Sequence, residues 1–235
     1  MIVSRKFSVG VLWVLDQLVP PIIRDSRWFM YLPMRLAFGR SAETFMSFKE
    51  KAFGMTPQQF GDVYEKVSLV SELQGETDLN DACLKQILRR TVGDKVLDAG
   101  CGRGLLAGRL AKHKTRRVTG CDIVVPEQAK QQYPTVKFVE GSVQSLPFKD
   151  NTFSTVVCTH TLEHVQDLQV SLAELRRVTA KRLIMVVPKQ RPYKYGFSLH
   201  IHFFPYKWSI EGQFGYRKKA IIKNLDGDWY YEENL

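Results

Sequence analysis

The sequence has few cysteines, and none is placed for a metal centre or a disulfide frame. The chain of 235 residues contains four cysteines, and no two of them stand in a Cys-x-x-Cys pair. Most lie in or beside apolar, strand-like runs, which is typical of small buried residues in a reducing compartment. The sequence therefore favours neither a zinc site of cysteines nor a disulfide-stapled secreted fold. The four positions are Cys83, Cys101, Cys121 and Cys158.

The sequence also lacks an apolar run long enough to cross a membrane, since a spanning helix needs about 20 predominantly apolar residues. Residues 7–23 are strongly apolar, but Asp16, Gln17 and a Pro-Pro pair interrupt them. Two basic residues before this run imitate a signal peptide, yet no small-residue cleavage site follows. We therefore expect no spanning helix and no secretion, but a cytoplasmic protein.

Acidic residues are fewer than basic ones. The chain has 24 Asp and Glu against 34 Lys and Arg, which gives a net charge of +10. Such a charge is compatible with nucleic acid, an anionic membrane or an acidic substrate as partner. The basic residues are scattered, however, and no nucleic-acid-binding motif accompanies them. We interpret the charge as a solvated basic surface and do not expect a nucleic-acid partner.

A glycine-rich turn between a strand-like and a helix-like run organises the rest of the sequence. The strand-like run ends at Asp98, and Gly100, Gly102 and Gly104 follow. Counted from Gly100, a dinucleotide fingerprint needs its third glycine where Leu105 stands. An acid at the strand end also suits an amine-bearing ligand better than a pyrophosphate. The turn therefore predicts a ligand that approaches bare backbone, and it argues against a dinucleotide.

Strand-like and helix-like segments alternate from residue 77 onward, which predicts an α/β fold with a doubly wound, mostly parallel sheet. The ligand crevice of such a sheet lies at the carboxyl ends of its strands. We expect a first helix capped by Thr77 or Asp78 and a closing hairpin near the C-terminus. The predicted strands cover 95–98, 117–122, 136–140, 155–158 and 182–188, and the hairpin joins 218–225 to 229–232.

A second acid strengthens the ligand prediction. Asp122 ends the second predicted strand 24 positions after Asp98, where an acid can accept both hydroxyls of a ribose. Together, Asp-x-Gly-x-Gly-x-Gly, Asp122 and the Leu146-Pro147-Phe148 turn resemble class I S-adenosylmethionine-dependent methyltransferases, including those of the ubiquinone pathway. The resemblance covers residues 78–188 and implies a seven-stranded Rossmann-like sheet with S-adenosylmethionine as cofactor.

The resemblance also implies roles for individual residues. The Asp98 turn would hold the amino-acid end of the cofactor, Asp122 its ribose, and Val143 would flank the adenine. Ser142 departs from the family, which usually has an acid there. The implied cofactor-binding residues are Asp98, Gly100, Cys101, Gly102, Gly104, Asp122, Ile123, Ser142, Val143 and Thr159.

Polar groups follow the fourth predicted strand, beside the expected methyl position. His160, Glu163 and His164 would share one helical face, and we expect them to be catalytic. One hypothesis adds His200 or His202 to make a site for a transition metal such as zinc. In the alternative, Glu163 and His164 brace the segment and His160 alone contacts substrate. We favour this alternative and expect no metal.

The N-terminal part differs from the rest, so we predict two domains: a helical, aromatic cap over 1–76 and a methyltransferase domain over 77–235. Residues 24–38 mix aromatic groups with arginines, which is typical both of a membrane interface and of a cap that packs on its own domain or on a second copy. Peripheral membrane contact through residues 7–38 and a homodimer are both left open. Residues 190–208 are aromatic and predict a lid.

These patterns predict methyl transfer to a small-molecule or lipid-linked acceptor. We expect O-methylation, because a histidine suits hydroxyl deprotonation, and a position in the cytoplasm or on the inner face of a membrane. Three alternatives remain: a nucleic-acid or protein methyltransferase, a non-catalytic cofactor-binding scaffold, and a membrane adaptor.

Overall fold

The computed structural model describes residues 14–15, 18–70 and 79–235. The chain divides into two compact units, which are described separately. The N-terminal unit combines the chain up to residue 75 with residues 191–201, and the sheet unit holds 76–190 and 202–235. Part of the predicted interfacial segment, up to residue 13, lies outside the described residues.

The described part of the N-terminal unit before residue 71 is largely helical, whereas its residues 191–201 contain no helix. Its helices are α1 (Pro21–Arg24), α2 (Arg27–Phe38), α3 (Ala42–Lys51) and α4 (Pro57–Val70). A reciprocal capping box starts α4: the Thr56 hydroxyl accepts from the Gln59 N–H at 3.3 Å, and the Gln59 side chain accepts from the Thr56 N–H at 3.0 Å. Proline at the first position completes this start signal.

One side of α2 forms the core of this unit. Met30, Met34 and Phe38 recur every four residues and are buried, and Phe38 stacks on Phe45 of α3 with ring centroids 3.7 Å apart. Tyr195 joins the same cluster with other side chains of the 191–201 segment. Much of the predicted lid therefore packs within this unit.

Seven strands make one sheet in the order β3-β2-β1-β4-β5-β7-β6. Strands β1 to β5 are parallel to one another. Strand β7 runs antiparallel to both β5 and β6. The predicted mostly parallel, doubly wound sheet is confirmed. The strands are β1 (Lys95–Ala99), β2 (Arg117–Asp122), β3 (Lys137–Glu140), β4 (Phe153–Thr159), β5 (Thr179–Pro188), β6 (Ile221–Leu225) and β7 (Asp228–Asn234).

The sheet unit also contains helices, the first of which precedes β1. They are α5 (Asp81–Arg90), α6 (Leu105–Ala111), α7 (Glu127–Gln132), α8 (Leu168–Val178) and α9 (Lys207–Phe214). The cap of α5 is Asn80, whose side chain accepts from the Cys83 N–H at 2.8 Å. The expectation of Thr77 or Asp78 as the cap is therefore wrong. Both of those residues lie outside the described part.

The central strands are buried by apolar clusters on each face of the sheet, which explains their nearly continuous apolar sequences. The strand order changes direction between β1 and β4, so the crevice expected of this topology lies at their carboxyl ends. Within the described ranges, no helix is long and apolar enough to span a bilayer.

Candidate active site

The glycine turn after β1 needs glycine for conformation and for space. Gly100, Gly102 and Gly104 have φ angles of +75°, +50° and +79°, in the left-handed region that other residues rarely adopt. A Cβ atom on Gly100 would also lie 2.0 Å from Oγ1 of Thr161. Glycine at these three alternate positions leaves stretches of backbone without side chains in front of β1, as a closely approaching ligand requires.

Asp98 is buried at the end of β1 without a partner. Neither carboxylate oxygen forms a hydrogen bond with the described residues. Burial raises the pKa of Asp98 to about 7, and the approach of the Ala107 N–H offsets this only in part. Because an unsatisfied buried carboxyl is unfavourable, its retention here indicates a ligand that supplies a donor or a positive charge.

Asp122 reaches from the end of β2 to the glycine turn, where its Oδ2 atom accepts from the Gly102 N–H at 2.7 Å. Burial raises the pKa of Asp122, while the N–H groups of Gly102, Val124 and Ile123 act in the opposite direction. Ile123 itself is exposed. The two acids predicted from the sequence therefore lie on either side of one turn.

The remaining predicted cofactor residues lie at the same edge of the sheet. Ser142 follows β3, and its hydroxyl accepts from the Gln144 N–H at 3.1 Å. Val143 and Cys101 are buried, and burial raises the pKa of the Cys101 thiol. Thr159 ends β4 and is half-buried. The structure thus brings the ten residues to the carboxyl ends of β1 to β4, while their binding roles stay predictions.

His160 is held between two carboxylates just past β4. Its Nδ1 atom lies 3.4 Å from Oε1 of Glu163, and its Nε2 atom lies 3.3 Å from Oδ2 of Asp228. Burial alone would lower the pKa of His160. Its interactions with Asp228 and Glu163 outweigh this effect and raise the pKa to about 10. The imidazole is therefore a cation at neutral pH and does not accept a proton in this arrangement.

The backbone around His160 differs from the prediction. Residues 160–166 form turns and bends rather than a helix, and α8 begins only at Leu168. The expected shared helical face of His160, Glu163 and His164 is therefore wrong. His160 still meets Glu163, because its left-handed φ of +50° turns the chain back while its N–H donates to the Val186 oxygen at 2.9 Å.

The other histidines proposed as metal ligands are His164, His200 and His202. The His164 N–H donates to the Thr161 oxygen at 3.0 Å. The Nε2 atom of His202 lies 2.8 Å from the Val165 oxygen, and burial lowers the pKa of His202. His200 belongs to the N-terminal unit. His160 and His202 use ring nitrogens in contacts within the protein, and the expectation of no metal stays a prediction.

Sequence reasoning missed Asp228 and Asn80. The Asn80 side chain donates to Oδ2 of Asp228 at 2.8 Å and to the Leu225 oxygen at 2.9 Å. Asp228 begins β7, opposite Pro188 at the end of β5, because β7 runs antiparallel. The Asp-Gly-Asp turn at 226–228 signalled the hairpin, but placing it at the site required the strand order.

Part of the chain is similar to known methyltransferases. Residues 97–187 match the family described as a methyltransferase domain. The chain is 41% identical over 96 residues to a 2-phytyl-1,4-naphtoquinone methyltransferase of Nostoc sp., covering 37% of this chain and 42% of that protein. It is 36% identical over 87 residues to a demethylmenaquinone methyltransferase of Chlorobaculum tepidum, covering 36% of each. The match thus spans less than half the length of these curated relatives.

A solved structure shares the fold. A 1,6-didemethyltoxoflavin-N1-methyltransferase of Burkholderia thailandensis, crystallised with 1,6-didemethyltoxoflavin and S-adenosylhomocysteine, aligns with a TM-score of 0.55 and 19% identity. The alignment covers 76% of this chain and 88% of that one. At this identity the likeness concerns the arrangement of strands and helices.

Proposed function

Because residues 97–187 form a methyltransferase domain of the class I, S-adenosylmethionine-dependent type, we propose that the whole chain transfers a methyl group from this cofactor to a quinone-type acceptor. The observation that carries the proposal is the buried, partnerless Asp98 beside a turn of bare backbone. Relatives that share the core are named for naphthoquinone and demethylmenaquinone methylation. Those names suggest the class of acceptor.

The residues at the strand ends fit the cofactor. Asp98 offers a buried carboxylate to a cationic amino group, and the turn from Gly100 to Gly104 lets the cofactor approach the backbone. Asp122 offers a carboxylate to ribose hydroxyls, and the exposed Ile123 offers an apolar surface to the adenine ring. Bound S-adenosylmethionine supplies an electrophilic methyl group and its own leaving group, so the protein has only to position the acceptor and accept its proton.

The cluster around His160 is our proposed proton acceptor. The cluster holds two carboxyl groups, those of Glu163 and Asp228, within 3.4 Å of one imidazolium. It can take up the proton of a ring hydroxyl as a unit, although His160 alone is already protonated. His164, next to Glu163 in sequence, stays a candidate for acceptor contact.

The atom that receives the methyl group depends on where the negative charge lies after the acceptor has lost its proton. A deprotonated quinol reacts through its oxygen or through the adjacent ring carbon, and both reactions need the same proton acceptor. We propose transfer to oxygen, the atom that loses the proton and carries most of the resulting negative charge. A methoxy signal in the NMR spectrum of the product would support this, whereas a ring-methyl signal would contradict it.

The setting is also part of the proposal. A quinone-type acceptor with an apolar tail resides in lipid, so we propose that the chain works peripherally on the inner face of a membrane. The aromatic and basic residues of the N-terminal unit support this setting.

Calorimetry with the purified full chain tests the cofactor. We expect S-adenosylmethionine and S-adenosylhomocysteine to bind the native protein, and Asp98→Asn to bind the former at least about tenfold more weakly, as loss of a charge-assisted hydrogen bond predicts. Incubation with reduced naphthoquinones and isotope-labelled cofactor then tests transfer. Absence of cofactor binding by the native chain would exclude the proposed activity.

A further inference from the structure

Helix α2 is apolar on two sides. One side packs in the core of the N-terminal unit, and the other faces outward. Trp28, Leu32 and Leu36 repeat every four residues, and their side chains are 77%, 63% and 79% exposed. We call these three side chains the outer row. A helix at the surface of a globular unit normally exposes polar groups on this side, and an apolar exposed row marks an interaction surface.

Further exposed apolar side chains precede the outer row in the sequence, and positively charged side chains lie beside it. Leu18 and Ile22 are exposed just before it. Residues 18–40 contain four arginines but only one acid, Asp25. On the helix surface, Arg35 lies on the same side as the outer row, because it follows Trp28 by seven residues and Leu32 by three.

The acid and two arginines of this stretch are engaged within the unit, and one of the two, Arg24, is buried against the Tyr193 ring. The Asp25 carboxylate accepts from the Lys194 N–H at 2.7 Å. Arg27 pairs with Glu43 at 2.8 Å. Arg35 and Arg40 are exposed, and the Arg35 guanidinium donates to the Gly39 oxygen at 3.2 Å. The charge presented beside the outer row is therefore positive.

From this geometry we propose that the outer row is the membrane-docking surface of the protein, and that its partner is an anionic lipid bilayer. Helix α2 lies in the plane of the interface with Trp28, Leu32 and Leu36 among the upper acyl chains. The arginines remain at the depth of the head groups and attract acidic lipids. Charge complementarity favours this occupant over a second copy, whose identical surface would bring the arginines of both copies together.

The outer row gives the proposed peripheral setting a defined surface and a preferred lipid charge, and its role does not depend on the acceptor. The docking surface belongs to the N-terminal unit and the cofactor residues to the sheet unit. Lipid binding and cofactor binding are therefore separable measurements, and failure of one leaves the other interpretable.

Vesicle co-sedimentation of the full chain tests the docking surface. We expect binding to vesicles of phosphatidylcholine mixed with phosphatidylglycerol, and weaker binding to phosphatidylcholine alone or at high salt. Trp28→Ala and Leu36→Glu should each weaken binding by about tenfold or more, since each loses the burial of a large apolar side chain. Arg35→Gln should reduce the preference for the acidic lipid.

Two variants on the sheet unit serve as matched controls. Trp208 on α9 is 67% exposed and Val170 on α8 is 43% exposed. Trp208→Ala and Val170→Glu should bind vesicles as the native chain does, and all variants should keep the native affinity for S-adenosylmethionine and the native melting temperature.

Three outcomes would overturn the proposal. The native chain could ignore both kinds of vesicle. The control variants could lose as much binding as the outer-row variants. Light scattering could show a dimer that Leu36→Glu converts to a monomer, without any effect on lipid binding, which would make the outer row a contact between two copies.

Discussion

Asp98 carries a carboxyl whose burial lowers the stability of the cofactor-free protein at neutral pH. A carboxyl buried without partners favours its neutral form, and its pKa of about 7 lies above the ordinary value of 3.8. The folded protein therefore holds a proton that the unfolded chain releases. As pH rises between these two values, the cofactor-free protein becomes less stable.

Asp98→Asn should remove this pH dependence. Relative to the native chain, the variant should gain stability progressively from about pH 4 to about pH 7, by up to about 4 kcal/mol as an upper limit. Denaturant melts of both proteins at several pH values, without cofactor, measure the difference.

Asp94→Asn is the control for that series. Asp94 is exposed, and its contact with Arg117 lowers rather than raises its pKa. The contact between Asp94 and Arg117 therefore contributes to stability above the ordinary pKa of 3.8, and this contribution is lost as the pH falls below that value. A difference between Asp98→Asn and the native chain that stays constant with pH would contradict the assignment of Asp98 as a buried proton carrier.

His160 should remain protonated through the physiological range. Its pKa of about 10 means that the ion pairs with Glu163 and Asp228 stabilise the fold fully below the ordinary value of 6.5, and that this contribution disappears as pH rises towards about 10. NMR of histidine-labelled protein should show one ring that stays protonated between these values, whereas His202, whose pKa is lowered by burial, stays neutral there.

The spectrum of His160→Asn identifies that ring by its absence. Glu163→Gln removes one of the two carboxylates, so the pKa of the same ring should fall measurably. A ring of His160 that titrates near its ordinary value in the native protein would remove the proton-accepting cluster from the mechanism.

Among the elements, α5 is tied to the closing hairpin through, among other contacts, the side chain of its cap residue. Asn80 caps α5 through its oxygen, and its amide nitrogen donates to Leu225 and Asp228 of the hairpin. Asp228 in turn contacts His160. The cap of a helix therefore fixes one wall of the candidate site.

Substitutions at Asn80 should separate these two tasks. Asn80→Ser keeps an oxygen for the cap but loses the donor to Asp228, whereas Asn80→Ala loses both. We expect Asn80→Ala to be destabilised by about 2 kcal/mol or more, with Asn80→Ser in between. Denaturant unfolding measures the order, and equal loss in both variants would show that the cap contributes nothing.

The residues of the candidate site differ in how far the sequence predicts them. The glycine turn, Asp98 and Asp122 could be predicted, because each follows a strand that its apolar run identifies. The contact of His160 with Glu163 was expected for the wrong reason, since a non-glycine residue with positive φ is not visible in the sequence. Asp228 and Asn80 could not be predicted, because they reach the site only through the pairing of β5 with β7.

For the whole molecule, the buried cysteines report on both faces of the sheet. Cys121 and Cys158 belong to the apolar cluster on one face, and Cys83 belongs to the cluster on the other. Cys101 lies in the glycine turn, and all four thiols are free and buried. Burial raises the pKa of Cys83 and Cys121 to about 12, so these thiols are neutral and unreactive in the folded state.

We therefore expect thiol reactivity to follow unfolding. Ellman's reagent should detect all four thiols in denaturant and almost none in the native protein, and a reducing agent should leave the melting temperature unchanged. If the two faces of the sheet unfold together, Cys83, Cys121 and Cys158 should become reactive at one denaturant concentration. Cys101 is expected to react earlier, through local opening of the turn, and S-adenosylmethionine should slow its reaction alone. A thiol of either core cluster that reacts in the native protein, at a rate independent of denaturant, would contradict the packing of that face.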